Sequence, residues 1–374
     1  MTEHRVDTAT DADSPGSRSS RRGSSRLARG VAWLAAALVA LVVMSFLPTD
    51  YVVQQPGPVY NTIGEVDMGD GEAVPLIEVD GAETYPTEGA LDLTTVQVVG
   101  NREHRLSWVE LALAWGNPSR AILPLDSVYP EGVTTEERDE QNAALMTDSQ
   151  GQAAAAALTQ LGYEVPADIR VAAFAEDAPA EGILAVDDRI VAANGQELAD
   201  VSELQEIIGA GEGDPVELTI ERDGARASET ITPVERDGAW IIGVSLSTTY
   251  DLPVDVTIQL DNVGGPSAGT MFALGIIDVL TPEELTGGEP IAGTGTITAT
   301  GEVGPIGGIR QKLYGARDAG AEYFLAPEEN CDEVVGHVPS GLQVVRVGTL
   351  DDALAAVDAI AAGAPEDLPA CAAE

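Results

Sequence analysis

The chain has 374 residues, and its 62 acidic against 19 basic side chains give a formal net charge of −43. Such a surface opposes extended contact with nucleic acid or anionic headgroups, so no nucleic-acid partner is expected. Aromatic residues are scarce, at 4%, but 44% apolar content over this length is enough to bury a core, and two cores are expected.

Residues 1–30 are polar, rich in Ser, Gly and Arg, and without apolar periodicity; they read as a flexible tail. The chemistry changes at "VAWLAAALVALVVMSFL", residues 31–47, an uncharged run at the short end of what crosses a bilayer as a helix. An anchor is expected over residues 31–48. Arg18, Arg21, Arg22, Arg26 and Arg29 precede it, which predicts a cytoplasmic tail and an extracytoplasmic remainder, a single-pass cell-membrane topology. A cleaved signal peptide fits less well, because the tail is long and no small-x-small site closes the run. A buried core helix would not be apolar on all sides beside an arginine cluster.

Residues 51–100 carry a strand-like run, "ALDLTTVQVV". Helical spacing follows at 106–116 and again at 140–163, where Gly162 is a stop signal and leucines punctuate an alanine run expected to pack closely. Residues 166–236 then alternate short β runs with turn signals at Asn194-Gly195 and Asp223-Gly224, around one amphipathic helix near 201–208. The "APAEGILAVDDRIVAANG" core of this segment resembles a PDZ domain. The resemblance implies a module that takes a peptide as an added strand, although no Gly-Leu-Gly-Phe loop is legible.

An alternating strand at Val254–Leu260 next feeds the glycine-rich loop of "DNVGGPSAGTMFALG", with a helix beginning near Ser267. A serine at a helix start sits beside free backbone N–H groups and the positive end of a helix dipole, an oxyanion-hole arrangement, though an ordinary N-cap looks the same in sequence. "GPSAG" also satisfies G-x-S-x-G, which would call for a histidine base such as His337. Pro266, with its fixed φ, and the six residues between strand and serine do not suit a strained strand-to-helix elbow.

Lys312 is the single lysine; every other member of the 19 basic residues is arginine. Arginine cannot release its proton in a protein, whereas a buried lysine can become a neutral amine, so position 312 is read as needing a base. A free lysine, with a pKa near ~10.4, is neutral in about one molecule in 2,500 at pH 7. Burial must therefore lower the value by roughly three units, about 4 kcal/mol, for it to serve.

"GGPSAG" followed by "GTGTITATGEVGPIGGIRQKLYGARDAGAEYFLAPEEN" resembles the proteolytic domain of Lon-type serine endopeptidases, and "LDLTTVQV" and "MTDSQGQAAAA" resemble the strand and helix that open it. The resemblance implies Ser267 as nucleophile, Lys312 as general base and Thr294 as the threonine bonded to the lysine amine. Backbone N–H groups of Gly264, Gly265 and Ser267 would form the oxyanion hole. It further implies an α+β fold: a Lon-type α/β proteolytic domain, in parts 49–165 and 237–362, interrupted by a mainly-β PDZ domain at 166–236, with a tail at 363–374. Protein or peptide substrates, no metal or other cofactor, and a homo-oligomer, a hexameric ring, are the accompanying expectations. Asn262, Val263 and Gly264 stand where many such proteases carry Lys-Asp, so a loop carboxylate is missing. No G-x-x-x-x-G-K-[ST] motif occurs, and the chain resembles the membrane-anchored, PDZ-containing, ATP-independent members. A non-catalytic PDZ scaffold on a decayed protease fold is the rival reading. Cys331 and Cys371 leave two states open, one disulfide or two free thiols.

Overall fold

Apolar residues that alternate along consecutive strands sort onto the two faces of one sheet, and this sorting builds the larger core. Ile291, Leu325 and Val345 point to one side, and Ala292, Phe324 and Val344 to the other. The computed structural model describes residues 21–67, 71, 73–130, 132–260 and 263–372. Among these the α-helices are α1 (Arg21–Phe46), α2 (Trp108–Trp115), α3 (Leu125–Val128), α4 (Thr135–Gln160), α5 (Val201–Ala210), α6 (Gly269–Leu280), α7 (Ile309–Ala319), α8 (Cys331–Val334) and α9 (Leu350–Ala361).

The first sheet has six strands in the order Gln343–Val347, Tyr323–Pro327, Pro290–Gly293, Ala90–Val99, Tyr51–Asn61, Ala121–Pro124. Its first four strands are mutually parallel and its last two antiparallel to their neighbours. α4, α6 and α9 supply the core on one face and α7 on the other. α6 is apolar on every side and buried from Gly269 to Asp278, because α4 covers the side the sheet leaves open. The alanine run Ala153–Ala157 makes that close approach possible, and all five residues are buried. α4 starts earlier than apolar periodicity predicts. Thr134 and Glu137 form a capping box, and Glu136 and Glu137 favour the positive end of the helix, so an acidic stretch without apolar spacing still begins it.

The second sheet is antiparallel, ordered Ala225–Ile231, Val216–Arg222, Arg189–Ala193, Ala167–Phe174, Val244–Tyr250, and closes over α5 with a core of its own around Val171, Ile190, Leu204 and Leu218. It runs past the expected end at residue 236. The hairpin Val234–Arg236/Ala239–Ile241 is an internal turn, and Val244–Tyr250 returns to pair with Ala167–Phe174, Tyr250 opposite Ala167. The chain thus enters and leaves this sheet side by side, with Asp251 N–H donating to the Pro166 carbonyl.

At the N-terminus the helix extends back through residues 21–30, part of the expected tail, because Arg, Leu and Ala favour helix; residues 1–20 lie outside the described residues. Arg29–Phe46 is long and apolar enough to cross a membrane and is exposed throughout. At the other end Cys331 and Cys371 form a disulfide. The Pro369 carbonyl also accepts from Arg346 N–H, so the C-terminal segment is strapped to the sheet edge rather than hanging as a tail.

Removing residues 167–250, with Pro166 joined to Asp251 through a short linker, is expected to leave a cooperatively melting remainder. Removing only 166–236 strands Val244–Tyr250 without its partner and should give a broadened, aggregation-prone transition; circular dichroism melts of the two deletions distinguish them.

Candidate active site

The residue just past the end of a parallel strand and the first turns of two helices meet at one point. α6 and α7 each lead back into a strand of the parallel set, so their N-termini lie at the carboxyl ends of those strands, one helix on each face. Thr294, the residue after Pro290–Gly293, stands between them. Gly295 N–H donates to the Ser267 carbonyl at 2.9 Å, and Thr270 N–H donates back to the Gly295 carbonyl at 3.2 Å, which fastens the start of α6 to the strand end. Ala268, not Ser267, is the N-cap of α6, and it makes no side-chain cap bond. The Ser267 hydroxyl is therefore not spent on capping its own helix.

α7 begins at Gly308, whose φ of 73° is left-handed and whose missing Cβ would lie 2.8 Å from Gln54 Nε2 and 2.9 Å from Val96 Cγ1. Only glycine lets the helix start this close to the sheet. The buried Asn330 fixes the preceding loop, donating Nδ2–H to the Ile306 carbonyl at 3.0 Å and accepting Ile306 N–H at 2.9 Å. Lys312, in the first turn, then reaches back along the helix to the junction. Its Nζ lies 2.7 Å from Ser267 Oγ and 2.9 Å from Thr294 Oγ1, and the residue is 1% exposed. Thr294 gives its own hydroxyl proton to the Ser267 carbonyl at 2.9 Å, so toward Lys312 its oxygen acts as acceptor. Burial brings the Lys312 amine down to about 7. The positive end of α7 acts in the same direction. No carboxylate among the described residues forms an ion pair with it.

The serine loop is gripped from the far side by α4. Ser149 Oγ–H donates to the Pro266 carbonyl at 2.9 Å, and the Asn142 carbonyl accepts Gly265 N–H at 2.9 Å. Asn142 and Ser149 lie about two turns apart, on one face of the helix. Gly264 sits so close that a Cβ would come within 2.7 Å of the Asn142 Cβ. In this conformation Gly265 N–H is thus directed at α4 and not at an oxyanion; of the three expected donors, only those of Gly264 and Ser267 stay in question. Asn262 lies outside the described residues. A cleft of about 340 Å³ opens at Ser267, lined by Pro58, Tyr60, Thr94, Met146 and Gly264. The alternative base, His337, places its ring nitrogen 3.1 Å from the Val335 carbonyl, while the Ser267 hydroxyl faces Lys312.

Sequence reading missed Ser149, Asn142 and Asn330. The "MTDSQGQAAAA" stretch pointed to the helix, but nothing in its spacing says which residue faces a loop more than a hundred positions away. A second groove, about 490 Å³, lies in the antiparallel module between α5 and its edge strand, lined by Val201, Leu204, Ile208, Trp240, Ile242 and Val244.

Residues 252–359 match the C-terminal proteolytic domain of Lon protease (S16), and residues 170–222 match a PDZ domain. A Lon protease of Campylobacter concisus is 38% identical over 109 residues, 28% of this chain and 13% of that protein. Lon protease 1 of Sorangium cellulosum is 40% identical over 111 residues, again 28% and 13%. The match therefore spans about an eighth of the length of these relatives. Among solved structures, the PDZ domain of an SdrC-like protein from Listeria innocua is 26% identical, covers 21% of this chain and 92% of that one, and has a TM-score of 0.20. The expected fold class holds: a mixed α+β chain with a Lon-type proteolytic domain and a PDZ domain.

Ser149→Ala is expected to slow modification of Ser267 by a fluorophosphonate probe about tenfold while leaving the melting temperature within a few degrees, since it frees a loop carbonyl without opening the core. Lys312 also carries a stability signature. Unfolded, its amine stays protonated up to the ordinary 10.5, and folded only below about 7. The unfolded chain thus binds more protons between those values, and stability rises with pH across that window. Lys312→Met should be more stable than the parent at pH 7 by roughly 3–5 kcal/mol, with the gap closing toward pH 10, as urea titrations would record.

Proposed function

We propose that this chain, which carries a Lon-type proteolytic domain and a PDZ domain, is an ATP-independent serine endopeptidase that uses Ser267 as nucleophile and Lys312 as general base. The observation that carries this reading is the buried amine within hydrogen-bonding distance of Ser267 Oγ and Thr294 Oγ1 and paired with no carboxylate among the described residues. As a neutral amine, Lys312 donates one N–H to Thr294 Oγ1 and turns its lone pair to the Ser267 hydroxyl. The hydroxyl oxygen attacks a peptide carbonyl as its proton passes to Nζ. The ammonium then protonates the departing amine, and water, deprotonated by the same lysine, hydrolyses the acyl-enzyme. The Ser267 backbone N–H, at the positive start of α6, is the donor we assign to the oxyanion, joined by Gly264. Gly265 joins only if its bond to Asn142 opens.

Peptide or protein substrates would enter the cleft at Ser267, and the PDZ groove would take a strand against Val244–Tyr250, which lies at the edge of its sheet. Asp200 ties the two regions together. It caps α5 through Ser202 N–H at 2.8 Å, accepts from Tyr250 Oη at 2.9 Å, and lies 3.4 Å from Ala299 N in the segment that follows Thr294. Burial, then the Asp200 carboxylate, raises the Tyr250 hydroxyl well above its ordinary pKa, so the hydroxyl keeps its proton and stays a donor to Asp200. We assign the PDZ domain a role in substrate recognition or gating on this contact. Single-pass anchoring with the catalytic part outside the cytoplasm rests on the apolar helix and the arginines before it, and the Cys331–Cys371 disulfide suits an oxidising compartment.

Lys312→Arg keeps the charge and is expected to abolish peptide cleavage, because a guanidinium stays protonated. Ser267→Ala should be equally inactive, and the double variant no worse than either. In the parent, probe labelling of Ser267 should climb with pH through about 7 as the ammonium loses its proton. A Lys312→Arg protein that cleaves casein at near the parental rate would overturn the dyad.

A further inference from the structure

α2 leaves the wrong residues in water for a surface helix. Its inner side, Leu111 and Ala114, packs on Val53 and Leu106. Its outer side presents Trp108, Leu113 and Trp115, which are 48%, 71% and 86% exposed. The only charged residue in the helix, Glu110, is drawn to the N-terminus, where its carboxylate accepts Ser107 N–H at 2.7 Å and closes a capping box. The outward face is therefore apolar and aromatic in a chain that is otherwise strongly acidic and poor in aromatics.

The position of α2 says what covers this face. Thr49 N–H and Thr49 Oγ1–H both donate to the Leu106 carbonyl at 2.8 Å, and Pro48 bridges Ser107, so the chain emerging from α1 is stapled to the start of α2. α1 and α2 are in contact. Exposed Phe46 and Tyr51 flank the staple. Of the four tryptophans, Trp33 lies in the apolar helix and Trp108 and Trp115 on α2; only Trp240 lies elsewhere. Tryptophan and tyrosine concentrate at headgroup depth, where a ring gains an apolar environment and its polar atom stays hydrated.

We propose that α2 is a second membrane contact, a short helix lying in the interfacial layer of the bilayer next to the exit of α1, with Trp108, Leu113 and Trp115 inserted among the upper acyl chains. This rests on the reading of α1 as a membrane span. Its consequence is orientation: a single span leaves the exported part free to swing, whereas a span plus an adjacent interfacial helix holds the strand Tyr51–Asn61, and the sheet that carries the site, at a set height above the membrane. Because the contact is apolar and the chain's charge is negative, the contact should not depend on anionic lipid or on salt.

The test uses the full chain reconstituted in phosphatidylcholine vesicles with lipids brominated at shallow or deep acyl positions. One variant, Trp33→Phe with Trp240→Phe, reports only Trp108 and Trp115; a second, Trp108→Phe with Trp115→Phe and Trp240→Phe, reports only Trp33. The first is expected to be quenched about twofold more by shallow than by deep bromines, unchanged at high salt. If Trp33 is quenched and the α2 pair is not, α2 stands clear of the lipid and the proposal fails while the span survives. A blue-shifted, unquenched α2 pair would mean that another copy of the chain or a protein partner covers the face, which also overturns it. If neither variant is quenched, the membrane span itself is wrong.

Discussion

A lysine amine kept out of water, with no counter-ion among the described residues, is the constraint around which the proteolytic part is arranged. The site must be dry enough to hold the amine near neutrality yet supply two oxygens at hydrogen-bond distance, and Ser267 and Thr294 supply them. Carboxylate pairing would raise the amine's pKa and keep it charged, so the absence of a loop acid between Val263 and Ser267 fits this chemistry. The dryness comes from packing two helix starts on opposite faces of one strand end, with Ile309 and Leu313 on α7 and Met271 on α6 all fully buried.

That junction cannot hold itself. The serine loop is glycine-rich, and its geometry is borrowed from α4, which grips the Pro266 carbonyl through Ser149 and Gly265 N–H through Asn142. The grip on Pro266 orients the serine. The grip on Gly265 draws away a donor that an oxyanion would use, so the same helix both positions the loop and restrains it. α4 also packs against the edge strand of the PDZ groove. Together with Asp200, at the start of α5, it links the module that carries the second groove to the segment following Thr294.

Topology adds a further demand. Ala90–Val99 pairs with Pro290–Gly293, and Thr94 Oγ1 donates to the Gly293 carbonyl at 3.1 Å, although the whole antiparallel module lies between them in the chain. Closing that contact would cost far more loop entropy if the intervening chain were unstructured. Because Ala167 and Tyr250 are paired, the inserted module presents its two ends together once folded, and the long loop becomes a short one.

Sequence alone was sufficient for whatever is written in local pattern or residue chemistry. A strand-like run marked Ala90–Val99, uninterrupted hydropathy marked the helix ending at Phe46, and the lone lysine beside a Lon-like motif singled out Ser267, Thr294 and Lys312, which the fold brings within 3 Å of one another. Pattern failed where the partner is distant and the bond runs to backbone. A carbonyl accepting from Ser149, an amide held by Asn142, and an Asn330 side chain closing on Ile306 have no residue-type signature at the accepting end. The same holds for Val244–Tyr250, whose place in the antiparallel sheet is set by pairing with Ala167–Phe174, and for Cys331 and Cys371, whose sequence allows thiols or a disulfide and whose Cα atoms lie 5.0 Å apart in the fold. Local sequence determines which residues can do chemistry and which segments form regular structure. Only the tertiary fold decides which backbone groups they meet, because every main-chain amide and carbonyl is chemically alike and only position in space distinguishes one from another.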